Sequence, residues 1–150
     1  MGDNVYFYDT EVQWAGGRRL GQVHANGLPA VTFSTPPEFK GEAGFWTPEH
    51  LFVASAEACL MATFLGIAEN SHLPVVSYRS SARGKLESVA GLGLRFTEIA
   101  IFPEVEIEAA HRPKAEQVMR KAETSCLIAS SMNVGLRVEP KFVVQEDVAA

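Results

Sequence analysis

The chain has 150 residues, 47% hydrophobic and 21% charged, with a formal net charge of −5. That is one domain's length of ordinary globular composition, enough to bury a real core. No basic cluster exceeds a pair such as Arg18-Arg19, which argues against a nucleic-acid partner, because neutralising several phosphates needs a positive face.

Met1 to Tyr8 shows no basic stretch followed by an apolar run, so no secretory leader is expected. The expected location is a reducing cytoplasm. There two cysteines are not expected to form a static structural disulfide, although a transient catalytic or sensing one remains open.

In chain order, Val5–Tyr8 and Glu11–Trp14 are rich in β-formers and predict strands. Ala15–Gly21 predicts a turn built on Gly16, Gly17 and Gly21. Gln22–Ala25 and Ala30–Ser34 continue the meander, with Asn26-Gly27 as a type I′ hairpin signal. Thr35–Trp46 is a Pro/Gly-rich loop holding Phe39, Phe45 and Trp46. These aromatics are either loop-packing anchors or the wall of an apolar substrate pocket.

Thr47-Pro48-Glu49-His50 predicts a helix start, with a capping hydroxyl, proline at the first helical position and an acid favourable to the dipole. The helix should run to about Asn70 and stop before Pro74. Its apolar run, Leu51–Ala68, is long enough to raise the question of a membrane span. Glu57 lies in its middle, and a carboxylate at bilayer mid-depth costs about 2.5–3.5 kcal/mol. The expectation is therefore a buried helix and no membrane partner. Apolar residues surround nearly its whole circumference, which predicts a helix enclosed by other structure. Ser55, Cys59 and Thr63 align on one narrow stripe of it.

Val75–Leu86 and Leu92–Ile107 predict two long strands around Gly91 and Gly93, with Pro103 marking a bend or a sheet edge. Pro113 opens a second helix, Lys114 to about Met132, with Glu116 and Arg120 at ion-pair spacing and Val118, Ala122 and Cys126 on one face. Gly135–Val144 closes as a strand broken at Pro140. Strands come in runs rather than alternating singly with helices, so the fold class is α+β, ordered strands, buried helix, strands, helix, strand. One domain is expected over 1–150, with 1–46 supplying N-terminal strands and loop and 47–150 the core.

Cys59 and Cys126 lie too far apart in sequence for a local metal knuckle or a Cys-x-x-Cys pair. They are either two unrelated core thiols or a pair brought together by the fold. A thiol is a useful nucleophile only as thiolate, and a buried apolar helix pushes its pKa the wrong way, so Cys59 needs a cation. Arg18 and Arg19 are the clustered cations available; otherwise they are solvated turn charges. Glu49 and Glu57 are the candidate carboxylates for an arginine. Glu57 projects about 200° away from Cys59, whereas Glu49 lies about 80° off its face and about 15 Å lower. His24, His50, His72 and His111 show no ligand spacing, and no nucleotide or hydrolase motif is present, so neither metal nor cofactor is expected.

Thr47-Pro48-Glu49-His50-Leu51-Phe52, then Ala58-Cys59, then a second cysteine on a later helix, together resemble the OsmC/Ohr superfamily of osmotically inducible and organic hydroperoxide resistance proteins. The resemblance runs from Gly16-Gly17-Arg18 through Cys126 to the final strand and lies closer to the general OsmC-like branch. It implies an OsmC-like α+β fold in an intertwined homodimer with two sites at the subunit interface. It also implies a thiol peroxidase that reduces organic hydroperoxides to alcohols without metal, haem or flavin and draws on an external cellular dithiol. By motif position Cys59 is then the peroxidatic cysteine and Cys126 the resolving one, with Arg18 stabilising the thiolate and Glu49 holding the arginine. Arg19 beside Arg18 leaves open which of the two is functional. Leu127 stands where the family often has proline. Two other readings are a small-molecule-binding or redox-sensing protein of the same fold with little turnover, and a structural one with inert core thiols.

Overall fold

Three short antiparallel strands, β1 (Glu11–Trp14), β2 (Leu20–His24) and β3 (Val31–Ser34), form a sheet in that order. The computed structural model describes residues 4–145 and divides into two compact units, one up to Leu51 and one from Phe52.

In the first unit, Val5–Tyr8 is not a strand. β-formers need a partner ladder, and this segment has none among the described residues; its four side chains are exposed. Gly21 does not belong to the turn either. It sits inside β2 opposite Phe33, where a Cβ would run into the Phe33 ring, so the glycine serves packing. The Asn26-Gly27 turn is closed by the Leu28 N–H donating to the Ala25 carbonyl (3.1 Å), but only Gly27 takes a positive φ (77°). A type I′ turn needs both central residues there, so this one is of another kind. Beyond β3, a 3₁₀ turn at Pro37–Phe39 and a bridge between Phe33 and Trp46 lead into α1 (Pro48–Asn70).

The second unit is built on β4 (Ser77–Val89) and β5 (Gly93–Glu108), a long antiparallel hairpin turning where the Leu92 N–H meets the Val89 carbonyl. β5 is the central strand. On its other side, β6 (Gly135–Val138) and β7 (Lys141–Gln145) pair with it in parallel, one after the other. Pro103 is therefore not at a sheet edge. It sits at the gap between these two pairings, opposite the Glu139-Pro140 break, where a missing N–H breaks no ladder bond. Ile99, Ile101, Val105 and Ile107 present one face of β5 to α1 and to α2 (Arg112–Ser125). The core they share includes Leu60 and Phe64 from α1 and Val118 and Met119 from α2.

α1 buries one stripe, Ala56, Leu60, Phe64 and Ala68, rather than its whole circumference. It is also the one helix among the described residues long and apolar enough to cross a membrane by length and composition. The second helix departs from expectation in the other direction. It stops at Ser125, and a separate turn of helix, α3 (Leu127–Ser131), follows after Cys126. Glu116 pairs back to Arg112 (3.2 Å), four residues before it, rather than with Arg120.

Candidate active site

Cys59 is positioned by a well-specified helix. The Thr47 side chain accepts the His50 N–H (3.0 Å), its carbonyl accepts the Leu51 N–H (3.0 Å), and Pro48 fills the first helical position. Along α1, Cys59 lies between Ser55 and Thr63 on the stripe predicted from spacing. Its Sγ is 3.8 Å from Thr63 Oγ1.

The second thiol arrives through the helix break. Cys126 has φ −67° and ψ 106°, extended values that end α2 and start α3. Its carbonyl accepts the Ser130 N–H (3.0 Å), so it caps α3, and the Leu127 and Ile128 N–H groups at the start of α3 have no carbonyl inside the helix to meet. Both face Cys59. The two cysteines are reduced and lie close enough that each shifts the other's proton.

The shifts run in opposite directions. Burial pushes the Cys59 thiol up, but the Ile128 N–H, the Cys126 thiol, the Thr63 hydroxyl and the Leu127 N–H together hold it below the ordinary thiol value. Burial pushes Cys126 up, and the neighbouring Cys59 thiol and charge add to that rise against the N–H groups of Ala129 and Ile128. Cys59 is half-buried and Cys126 only 1% exposed. The site is therefore asymmetric, with one thiol disposed to ionise and reachable, and a neighbour held protonated and enclosed.

Glu57 looks the other way. Its carboxyl meets the Ser80 hydroxyl, and burial raises its pKa.

The remaining predicted residues lie in the first unit. Arg18 is exposed in the β1–β2 turn, where Gly16 and Gly17 take positive φ, and it has no hydrogen bond or ion pair among the described residues. Arg19 is held: its backbone is left-handed (φ 58°) and its Nη1 donates to the Phe39 carbonyl (2.8 Å). Glu49 Oε2 is buried with no hydrogen-bond partner among the described residues, and no ion pair joins it to Arg18. Phe45 and Trp46 line an open cavity of about 300 Å³ together with Gly44 and His50. Phe39 is not among its lining residues. Among the described residues no three His, Cys, Asp or Glu side chains cluster as a metal site.

The OsmC-like protein family model matches residues 41–141, a span that includes both cysteines. The chain belongs to the OsmC-like family. No curated protein sequence matches it. Among solved structures it is similar to an OsmC-like protein of unknown function from Vibrio cholerae, with 22% identity, TM-score 0.83, and coverage of 91% of this chain and 99% of that one. It is also similar to an organic hydroperoxide resistance protein OsmC from Legionella pneumophila (22% identity, TM-score 0.71, 95% and 100% covered). An organic hydroperoxide resistance protein from Elizabethkingia anophelis matches at 15% identity, TM-score 0.75, covering 96% and 100%. At these identities the likeness is one of fold, and the fold of this OsmC-like chain is accordingly the α+β OsmC fold.

Sequence reasoning missed the two N–H groups of Leu127 and Ile128. They exist as free donors only because the helix breaks at Cys126, and Ser125-Cys126-Leu127 contains no glycine or proline to announce a break.

Proposed function

We propose that this OsmC-like protein is a cysteine-based peroxidase that reduces organic hydroperoxides to alcohols. The observation that carries the reading is the asymmetric thiol pair. Cys59 is held toward thiolate by donors around it, and a protonated Cys126 waits beside it.

In the proposed cycle the Cys59 thiolate attacks the distal oxygen of a hydroperoxide. The O–O bond breaks, the hydroxyl stays on sulfur as sulfenic acid, and the alkoxide leaves and takes a proton from water. The Cys126 thiol then displaces that hydroxyl as water, forming a Cys59–Cys126 disulfide. Two electrons and two protons from an external dithiol return both thiols. No metal or organic cofactor enters.

Arg18 is assigned the cation that favours the thiolate and Glu49 the carboxylate that holds it. Among the described residues Arg19 already has an acceptor in Phe39, whereas Arg18 has none, and Glu49 carries a buried oxygen without a donor. Phe45 and Trp46 are assigned an apolar wall for an alkyl substituent, which favours organic over hydrogen peroxide. The working unit is assigned as a cytoplasmic homodimer.

Intact-mass measurement after one equivalent of cumene hydroperoxide tests the reading. Loss of two hydrogens is expected from the native chain. Cys126→Ser should gain one oxygen and stall, and Cys59→Ser should consume no peroxide. Arg18→Ala should raise the Cys59 titration and slow its oxidation, with Arg19→Ala doing far less. An unchanged mass in the native chain would leave the thiols as inert core residues. Oxidation that stops without turnover under a dithiol would favour a sensor.

A further inference from the structure

Hydroxyl side chains inside helices have a default use. They bond back to a carbonyl three or four residues earlier, the nearest acceptor left within their reach. This chain follows the default at four places. Ser55 Oγ donates to the Phe52 carbonyl (2.7 Å), Thr124 Oγ1 to Lys121 (3.0 Å), and both Ser130 and Ser131 to Leu127 (3.0 and 2.7 Å). Thr63 departs from it. Its Oγ1 is directed at the sulfur of Cys59, one helical turn below, at 3.8 Å, and both residues are half-buried.

The geometry follows from α-helical side-chain direction, in which a residue four positions later leans back over the one before it. Threonine in a helix divides between two χ1 rotamers according to which acceptor its hydroxyl finds. Here the hydroxyl's partner is the Cys59 sulfur rather than the backbone, and either atom can be the donor. Valine has almost the same shape and better apolarity, so the stripe could have been filled without a hydroxyl.

We infer that Thr63 is a positioning residue for Cys59: its hydroxyl donates to the thiolate, fixes the sulfur's rotamer and keeps it ionised for attack. The inference rests on the peroxidase reading for its use, though the contact with Cys59 does not depend on it. Donation from Thr63 also agrees in direction with the lowered Cys59 pKa; burial pushes that thiol up, and the Ile128 N–H, the Cys126 thiol and the Leu127 N–H act beside Thr63 to bring it down.

The test uses the full chain in a Cys126→Ser background, so that Cys59 is the sole thiol. The pH dependence of iodoacetamide alkylation reads its ionisation, and a single-turnover reaction with cumene hydroperoxide reads its reactivity. Thr63→Val should move the alkylation midpoint to higher pH and slow the peroxide reaction at neutral pH by roughly three- to tenfold. Thr63→Ser, which keeps the hydroxyl and loses the methyl, should restore both. If circular dichroism shows Thr63→Val misfolded, Thr63→Ala carries the same expectation. An unmoved midpoint in the hydroxyl-free variant overturns the inference, as does a Thr63→Ser protein that behaves like Thr63→Val. A midpoint that moves as expected in a protein indifferent to cumene hydroperoxide supports the role of Thr63 and overturns the peroxidase reading instead.

Discussion

Tyr78 carries a hydroxyl that is sealed from water and has no hydrogen-bond partner among the described residues. Its ring packs on Phe64, with centroids 5.6 Å apart, so the apolar part of the side chain is well used while its polar tip is stranded. Burial, with the Glu57 charge nearby, pushes the phenol up to about 12 from an ordinary value of 10.0. A group whose folded pKa is raised contributes stability that is intact below its unfolded pKa and lost as pH climbs toward the folded one. Tyr78 therefore weakens the fold between about pH 10 and pH 12. Tyr78→Phe removes the orphaned oxygen and should stabilise the protein by about 1 kcal/mol at neutral pH. It should also flatten the alkaline limb of a denaturant midpoint measured against pH. A clear loss of stability instead would mean that the hydroxyl has an acceptor the single chain does not provide.

At the scale of elements, the break at Cys126 invites a direct substitution. Cys126 already has nearly the extended backbone that a following proline demands, and Leu127 occupies the first position of α3, where proline's fixed φ fits and no intrahelical N–H is lost. Leu127→Pro should raise stability by about 0.4–1 kcal/mol through the unfolded chain. It should also raise the Cys59 thiol titration slightly, since one of the two N–H donors facing the sulfur disappears. Thermal unfolding and iodoacetamide titration read the two effects separately; a destabilised variant would show that the break is strained rather than preset. Several elements were legible in the sequence. Thr47-Pro48-Glu49 announced α1, and the alternation at Ile99, Ile101, Val105 and Ile107 announced β5, because caps and period-two patterning are local signals. The helix break was not, since tertiary packing imposes it on residues that are acceptable helix formers. Of the two readings of Pro103, a bend or a sheet edge, the edge fails for a related reason. A proline forbids a ladder bond but cannot say whether the neighbouring strand is absent or merely interrupted. In the candidate site the pairing of Cys59 with Cys126 came from family resemblance. The donors around Cys59 come from geometry that spacing alone does not fix, except for the Thr63 stripe.

At the scale of the whole molecule, the face of α1 opposite its buried stripe stays open. Ala58, Ala62 and Gly66 are exposed at four-residue spacing that forms one small-residue seam, and Met61 is exposed beside it. Small side chains let a second backbone approach closely, and an exposed seam of this kind suits the homodimer proposed above. Light scattering should therefore give twice 16.3 kDa for the native chain. Met61→Glu should shift the mass toward one chain. A native protein that scatters as a monomer at micromolar concentration would remove the interface from the reading.

Cys59 and Cys126 are neighbours in space but bracket almost half the chain between them. Joining the sulfurs would close that whole segment, which contains α1 beyond Cys59, the β4–β5 hairpin and α2, into a single covalent ring. A cross-link over so long a loop removes chain entropy from the unfolded ensemble worth about 4 kcal/mol in the loop-closure account. Oxidation would then leave the fold harder to melt than it was in the reduced state, and each return to the dithiol form would release the ring again. The redox state of one thiol pair would be written into the thermal resistance of the entire chain.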